Sequence, residues 1–214
     1  MSQDAFICVV DDDEAVRNAL LRLLKSAGYR ACGYPSGQAL LADPPQLTGT
    51  PTVVLTDLRM PGLDGIALAE KLASTPAPPP IVFLTAHGDV PATVRAMRDG
   101  AVDFLEKPVR EEDLFEALGR ALARSREQIQ RREGLRELQS NYGKLTPREK
   151  QVFSLVVSGL INKEVAWELG VCEKTIKVHR ARVVEKMEAR SLPDLVRMAE
   201  RLGVPEAKSP ARTG

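Results

Sequence analysis

This 214-residue sequence predicts a parallel, doubly wound α/β domain of five strands followed by an all-α helix-turn-helix domain. Two patterns carry that prediction. From the N-terminus to residue 123, short apolar runs alternate with segments of helical period, as parallel strands joined by crossover helices require. Beyond Asn141-Tyr142-Gly143 every periodicity is helical. The length suits two cores, of about 120 and about 60 residues, better than one.

Strands are expected at 5–10, 29–33, 52–57, 81–85 and 102–106. Helix 14–27 places Val16, Leu20, Leu23 and Leu24 on one face, with Gly28 as its C-cap, and helix 36–42 has Ser36 to cap it. Further helices fit 65–74, 91–99, ended by Gly100, and a long one from about 111. Pro44-Pro45 and Pro76 to Pro80 mark loops. From Arg120 to Gln139 the chain is crowded with Arg, Glu and Gln, which reads as an exposed helical linker continuing the fifth helix and packing only through Leu122, Ile129, Leu135 and Leu138. The expected domains are 1–123 and 144–204, with a linker at 124–143 and a flexible tail at 205–214.

The net charge of +1 hides an asymmetry: −6 through Ala123 and +7 from Arg124 onward. An acidic first part suits metal chemistry and a basic second part suits a polyanionic partner. The three cysteines, Cys8, Cys32 and Cys172, lack metal-ligand spacing, and their odd number argues against a disulfide framework; Cys8 and Cys32 read as small buried hydrophobes. The N-terminus shows no basic-then-apolar stretch and no apolar run approaches membrane-spanning length, so a cytoplasmic protein without membrane partners is expected.

Asp11 and Asp12 close the first strand and Asp57 the third, at the carboxyl edge where open α/β sheets place their chemistry. Lys107, before Pro108, arrives at the same edge after the fifth strand, and Thr85 offers a hydroxyl after the fourth. Three carboxylates gathered there need a cation, and all-oxygen ligands make it Mg²⁺. The run Asp11-Asp12-Asp13 leaves the register open by one residue; the first two after the strand are taken as ligands. Asp57, alone at the end of an apolar strand, is the better nucleophile, and Lys107 can neutralise a phosphoryl oxygen as a point charge. Pro108 is expected to hold a cis peptide bond.

In the second part, Thr146, Pro147 and Glu149 form a helix start of capping-box type, followed by Val152, Leu155 and Val156 on an apolar face and a stop at Gly159. A second helix at 162–169 carries Val165, Ala166 and Leu169. In a third, at 173–188, Ile176, Val183 and Met187 form the buried stripe while Lys174, Lys177, Val178 and Ala181 face away, flanked by Thr175 and Arg182. Such a face suits a DNA major groove: the cations meet guanine edges or phosphates, and Val178 and Ala181 permit close approach. His179, at the stripe's border, is expected to pack or touch a phosphate.

Val10-Asp11-Asp12, Thr56-Asp57-Leu58-Arg59-Met60-Pro61-Gly62-Leu63-Asp64-Gly65, Thr85-Ala86-His87-Gly88-Asp89 and Asp103-Phe104-Leu105-Glu106-Lys107-Pro108 resemble the receiver domain of bacterial two-component response regulators, of flavodoxin-like fold. The resemblance implies that Asp57 accepts phosphate from a sensor histidine kinase, and that Asp11, Asp12, Asp57 and the backbone carbonyl of Arg59 hold Mg²⁺. It implies a switch as well: Thr85 moves onto the phosphoryl group, and Phe104 turns in from an exposed position to fill the space. The face around helix 91–99 and strand 102–106 then changes shape and serves dimerisation. Asn162-Lys163-Glu164-Val165-Ala166, Leu169-Gly170-Val171 and Glu173-Lys174-Thr175-Ile176-Lys177-Val178-His179-Arg180 are similar to the LuxR-type helix-turn-helix of NarL/FixJ regulators, in which a fourth helix, here beginning at Arg190-Ser191-Leu192, helps the domains pair. Two positions depart from that pattern: Cys172 stands where relatives often cap with Ser, and Ile161 replaces a usually polar turn residue.

Together these imply a phosphorylation-controlled regulator that dimerises on promoter DNA, with RNA polymerase as a further candidate partner. One rival is a metal-dependent phosphatase, which would need a second acid two residues after Asp57, where Arg59 stands. The other is a scaffold that acts through protein contacts without phosphate.

Overall fold

The structure, a computed structural model, describes residues 4–45, 49–86 and 103–205. The chain divides into two compact units, Met1–Gln130 and Arg131–Gly214. The first holds β1 (Phe6–Val10), α1 (Glu14–Ser26), β2 (Arg30–Tyr34), α2 (Gly37–Ala42), β3 (Thr52–Asp57), α3 (Gly65–Ala73), β4 (Ile81–Thr85), β5 (Asp103–Glu106) and the first part of α4 (Glu111–Gly143). All strand pairings are parallel and the order is β2-β1-β3-β4-β5. The expected five-stranded parallel sheet is therefore present.

The near-continuous apolar strands follow from burial of both sheet faces. Alternate residues divide between two cores: Ile7, Val9, Val53, Leu55, Val82 and Leu84 pack with Leu20, Leu24, Leu114 and Leu118 of α1 and α4. Their neighbours Cys8, Val10, Val54, Ile81 and Phe83 pack with Leu40, Leu68 and Leu72 of α2 and α3. Strand order reverses between β1 and β3, so the helices after these strands leave on opposite faces and a crevice opens at their carboxyl ends. Asp11 and Asp12 directly follow β1, and Asp57 ends β3.

Local capping refines the expected boundaries by a residue. The Asp13 side chain accepts from the N–H groups of Ala15 and Val16, which makes the third aspartate of the run the N-cap of α1. Ser36 and Asp64 cap α2 and α3 in the same way. At the other end of α1 the C-cap is Ala27, and Gly28 follows it at φ +83°. Gly65 begins α3 where a Cβ would lie 2.4 Å from the carbonyl oxygen of Asp57, so only glycine lets the helix start beside the strand end. The helix expected at 91–99, its terminal Gly100, the segment His87-Gly88-Asp89 and all but the first residue of the expected tail lie outside the described residues. The expected linker range of 124–143 lies wholly within α4.

The second unit holds the rest of α4, α5 (Pro147–Val157), α6 (Asn162–Glu168), α7 (Glu173–Met187) and α8 (Leu192–Leu202). One core gathers Leu138, Leu145, Phe153, Val183, Met187, Leu195 and Ala199. The other gathers Val152, Leu155, Val156, Leu160, Val165, Ala166 and Ile176. Helix α7 is thus pinned at Ile176 in one core and at Val183 and Met187 in the other. The capping box at Thr146 and Glu149 is closed in both directions, at 3.2 and 2.8 Å.

Glu149 is buried and pairs with Lys186 of α7 at 2.7 Å. The Lys186 ammonium, together with the Thr146 N–H, outweighs burial and holds the Glu149 carboxyl down at about 2. A folded-state pKa depressed from 4.5 contributes stability that is present above about pH 4.5 and is lost as pH falls toward 2. Glu149→Gln is expected to cost about 2 kcal/mol at pH 7, between the values for exposed and buried pairs. The gap between variant and wild type should shrink as pH falls from about 4.5 to 2. Urea unfolding at pH 7 and pH 3 measures this; an equal gap at both would assign the effect to packing.

Candidate functional site

In the first unit, Asp11, Asp12 and Asp57 bring carboxylate oxygens within 4.8 Å of one another. Asp11 is wholly buried, Asp57 half-buried and Asp12 exposed. At 4.8 Å two like charges repel by about 3.5 kcal/mol at an effective dielectric near 20. Part of that repulsion is relieved by Lys107, whose Nζ lies 2.8 Å from Asp11 Oδ2 and 2.6 Å from Asp57 Oδ2. The second oxygen of each carboxylate accepts a backbone N–H, from Asp13 at 2.9 Å and from Arg59 at 3.1 Å. Burial pulls the Lys107 ammonium pKa down, but the bonds to Asp11 and Asp57 outweigh it and leave the pKa raised.

Among the described residues, the Lys107 ammonium and the Arg17 guanidinium against three carboxylates leave the cluster anionic, and its metal-ligating groups are all oxygen. Both properties fit a small divalent cation such as Mg²⁺. Lys107 is held by its own N–H, which donates to the Thr85 carbonyl at 2.8 Å, and the Lys107–Pro108 peptide is cis.

Thr85 and Phe104 stand differently from the site than Lys107 does. The Thr85 hydroxyl is half-buried and donates to the Ala86 carbonyl at 3.0 Å. The expectation of an exposed Phe104 is corrected: its ring is half-buried and stacks on Phe83 with centroids 5.0 Å apart, because β5 turns this residue toward the α2–α3 core.

Arg17 escaped the sequence analysis. Its Nη1 donates to the Asp11 carbonyl at 2.6 Å, and its stem lies where a Cβ at Gly33 would come within 3.1 Å. The cation thus braces the Asp11–Asp12 peptide from α1. The available signal was an arginine four residues after the capping Asp13, one turn into the helix that starts at the acidic run. Arg17→Ala is expected to lower Mg²⁺ affinity about tenfold, the scale for lost outer-sphere support, with partial rescue in Arg17→Lys. Calorimetric Mg²⁺ titration reads it, and unchanged affinity in the alanine variant would refute the bracing role.

In the second unit, the residues of α7 divide as the helical wheel demands. Ile176, Val183 and Met187 are buried, whereas Lys174, Lys177, Val178, Ala181 and Arg182 are exposed and Thr175 is half-buried. Val178 is 47% exposed, an aliphatic patch amid cations. Arg180, on the flank, donates to Asn162 Oδ1 at 2.7 Å and fastens the start of α6 to α7. Arg148 fastens the other end of α6 through the Leu169 carbonyl at 2.5 Å. These two arginines were not singled out in the sequence; an arginine's reach across a turn is a tertiary property.

Both departures from the helix-turn-helix pattern weaken caps. Ile161 has no side-chain acceptor, so only the return half of a capping box exists there, from the Ile161 N–H to Glu164 at 2.9 Å. Cys172 makes no capping bond; its Sγ lies 3.2 Å from Thr175 Oγ1, and that hydroxyl draws the thiol pKa down. His179 is half-buried, and its Nδ1 is buried without a hydrogen-bond partner among the described residues. An exposed Trp167 on α6 was also not anticipated.

Comparison with known proteins matches residues 7–119 to the family of response regulator receiver domains and residues 143–199 to the bacterial regulatory proteins of the luxR family. Nodulation protein W of Bradyrhizobium diazoefficiens is 42% identical over 204 residues, covering 95% of this chain and 88% of the relative. Transcriptional regulatory protein FixJ of Azorhizobium caulinodans is 41% identical, with 97% of each chain covered. Among solved structures, the response regulator StyR superposes with a TM-score of 0.79 at 42% identity, covering 92% of this chain and 99% of that one. Full-length FixJ from B. japonicum gives a TM-score of 0.56 at 40% identity, covering 94% and 98%.

Proposed function

The chain belongs to the NarL/FixJ-type response regulators, phosphorylation-dependent transcriptional regulators of two-component systems, and from that premise we propose how its own residues carry the signal. The family is one of DNA-binding regulators and not of classical enzymes. The observation that carries the reading is the Lys107 bridge between Asp11 and Asp57 within a three-carboxylate cluster.

An Asp57 carboxylate oxygen attacks the phosphorus of a sensor kinase's phosphohistidine, forming an acyl phosphate as the imidazole departs. Asp11, Asp12, Asp57 and the Arg59 carbonyl would hold Mg²⁺, which would supply charge neutralisation for the transferring group. Lys107 exchanges the Asp57 carboxylate for a phosphoryl oxygen, so its charge stays paired before and after transfer. The Thr85 hydroxyl leaves the Ala86 carbonyl for the phosphoryl group, and the Phe104 ring, already stacked on Phe83, shifts toward the space that Thr85 vacates. That rearrangement is read out by pairing of two copies, which sets two α7 helices into successive major grooves of an inverted repeat, half-sites about 10 bp apart. Lys174, Thr175, Lys177, Val178, Ala181 and Arg182 meet the DNA, and RNA polymerase is the further partner at the promoter.

Footprinting the full chain on genomic DNA, with and without a small phosphodonor and Mg²⁺, tests the reading. Protection of a paired site that strengthens with the phosphodonor is expected. Equal protection in both conditions would favour the phosphate-independent scaffold, and turnover of unrelated phosphoesters the phosphatase.

A further inference from the structure

Cys8 and Cys32 are paired positions of the neighbouring parallel strands β1 and β2, and they project into the same core. The phosphoryl chemistry uses neither. Neighbouring strands run about 4.8 Å apart, so the two Cα atoms fall within the range of about 4.4–6.8 Å that a disulfide spans. Cys8 is 1% exposed, whereas Cys32 is half-buried and within reach of a small solute.

We infer that Cys8 and Cys32 form a reversible disulfide when a peroxide oxidises Cys32, and that this bond disturbs the acidic pocket at the end of β1. The chemistry divides the roles. Cys32 is the more exposed of the two and so the one a peroxide meets first. The neighbouring Cys8 and Tyr34 draw its thiol pKa down against the opposing effect of burial, while Cys32 and burial push that of Cys8 up. Cys32 is therefore the attacking thiolate. Its sulfur takes one peroxide oxygen, the O–O bond breaks, and water leaves with a Cys32 sulfenic acid in place. The Cys8 sulfur then displaces that hydroxyl, which departs as water with the Cys8 proton. Two thiols lose two electrons in all, and one hydrogen peroxide becomes two waters.

A disulfide holds its two Cβ atoms about 3.5–4.5 Å apart while neighbouring strands run about 4.8 Å apart, so closure draws β1 toward β2 at this rung of the ladder. That pull has a short path to the site. Asp11 follows β1 directly, and its N–H donates to the Tyr34 carbonyl at 3.2 Å, the last link between these strands. Pulling β1 toward β2 at Cys8 shifts that link and with it the Asp11 carboxylate. The disulfide itself stands apart from the proposed phosphoryl transfer; only its effect on the pocket rests on that reading.

The test treats the full chain carrying Cys172→Ser with hydrogen peroxide, then measures intact mass, alkylation by iodoacetamide after unfolding, and Mg²⁺ affinity by calorimetry. A mass loss of about 2 Da with both remaining thiols protected is expected, reversed by dithiothreitol. Mg²⁺ affinity should fall about tenfold in the oxidised form and recover on reduction. Cys8→Ala in the same background should instead gain about 16 Da at Cys32, trappable by dimedone, with Mg²⁺ affinity unchanged. Thiols that stay alkylatable, or oxygen addition without the loss of hydrogen, would overturn the disulfide. A bridged form that binds Mg²⁺ like the reduced one would overturn its coupling to the pocket while leaving the metal site intact, and a reduced protein that binds no Mg²⁺ would overturn the metal site instead.

Discussion

Asp57→Asn, incubated with a small phosphodonor and Mg²⁺, is expected to take up no acid-labile phosphate, whereas the wild type takes up about one per chain by single-nucleophile chemistry. The amide keeps an oxygen for the Arg59 N–H, which now lies 3.1 Å from Asp57 Oδ1, so the loop after β3 stays in place. Lys107 keeps its bond to Asp11 at 2.8 Å, so no buried ammonium is orphaned. The substitution therefore removes the nucleophile and one negative charge and little else. Asp12 offers a carboxylate within 4.8 Å of the same spot, but it is exposed and lacks the Lys107 contact. Full labelling of Asp57→Asn, with an acyl phosphate mapped to another aspartate, would move the acceptor and dismantle the assigned roles.

Lys174→Ala combined with Lys177→Ala should weaken DNA binding by about 30-fold per protomer at 0.15 M salt. Each phosphate contact contributes about 0.9 to the slope of log affinity against log salt, which amounts to roughly fivefold at that concentration. The slope should therefore flatten by about 1.8 per protomer. Folding is not at risk, since both side chains are exposed and the buried stripe of Ile176, Val183 and Met187 is untouched. Titration of a footprinted promoter fragment at several salt concentrations measures affinity and slope together. Lost affinity with an unchanged slope would mean that the two lysines read bases only. No change in either would place another face of the unit on the DNA.

Much of this was legible before any coordinates. The alternation of Ile7, Val9, Val53 and Leu55 with Cys8, Val10 and Val54 fills two cores because each strand is buried on both faces, and an apolar run bounded by carboxylates signals such a strand. The α7 stripe was equally readable, because a residue's side of a helix depends only on its number along the chain. Thr146 and Glu149 announced a helix start because capping is local, needing only residues three apart. The three-aspartate run, open by one residue in the sequence, is resolved by the structure, in which Asp13 caps α1 and Asp11 and Asp12 remain for the cluster.

What lay hidden depends on distances between segments far apart in the chain. The ring of Phe104 is half-buried against Phe83 instead of standing free in solvent because β5 packs onto β4 in that register. Arg17 reaches the Asp11 carbonyl because Gly33 on a neighbouring strand clears room for its stem, and no spacing rule announces that. Cys8 and Cys32 looked like two separate core residues until the β1–β2 register set them side by side. Sequence alone determined which elements form, which faces they bury and which side chains bear charge, because hydrophobic period and capping act within a few residues. Only the tertiary structure decided who meets whom, because hydrogen bonds, ion pairs and thiol contacts act over about 3–4 Å and are set by strand order and register rather than by separation along the chain.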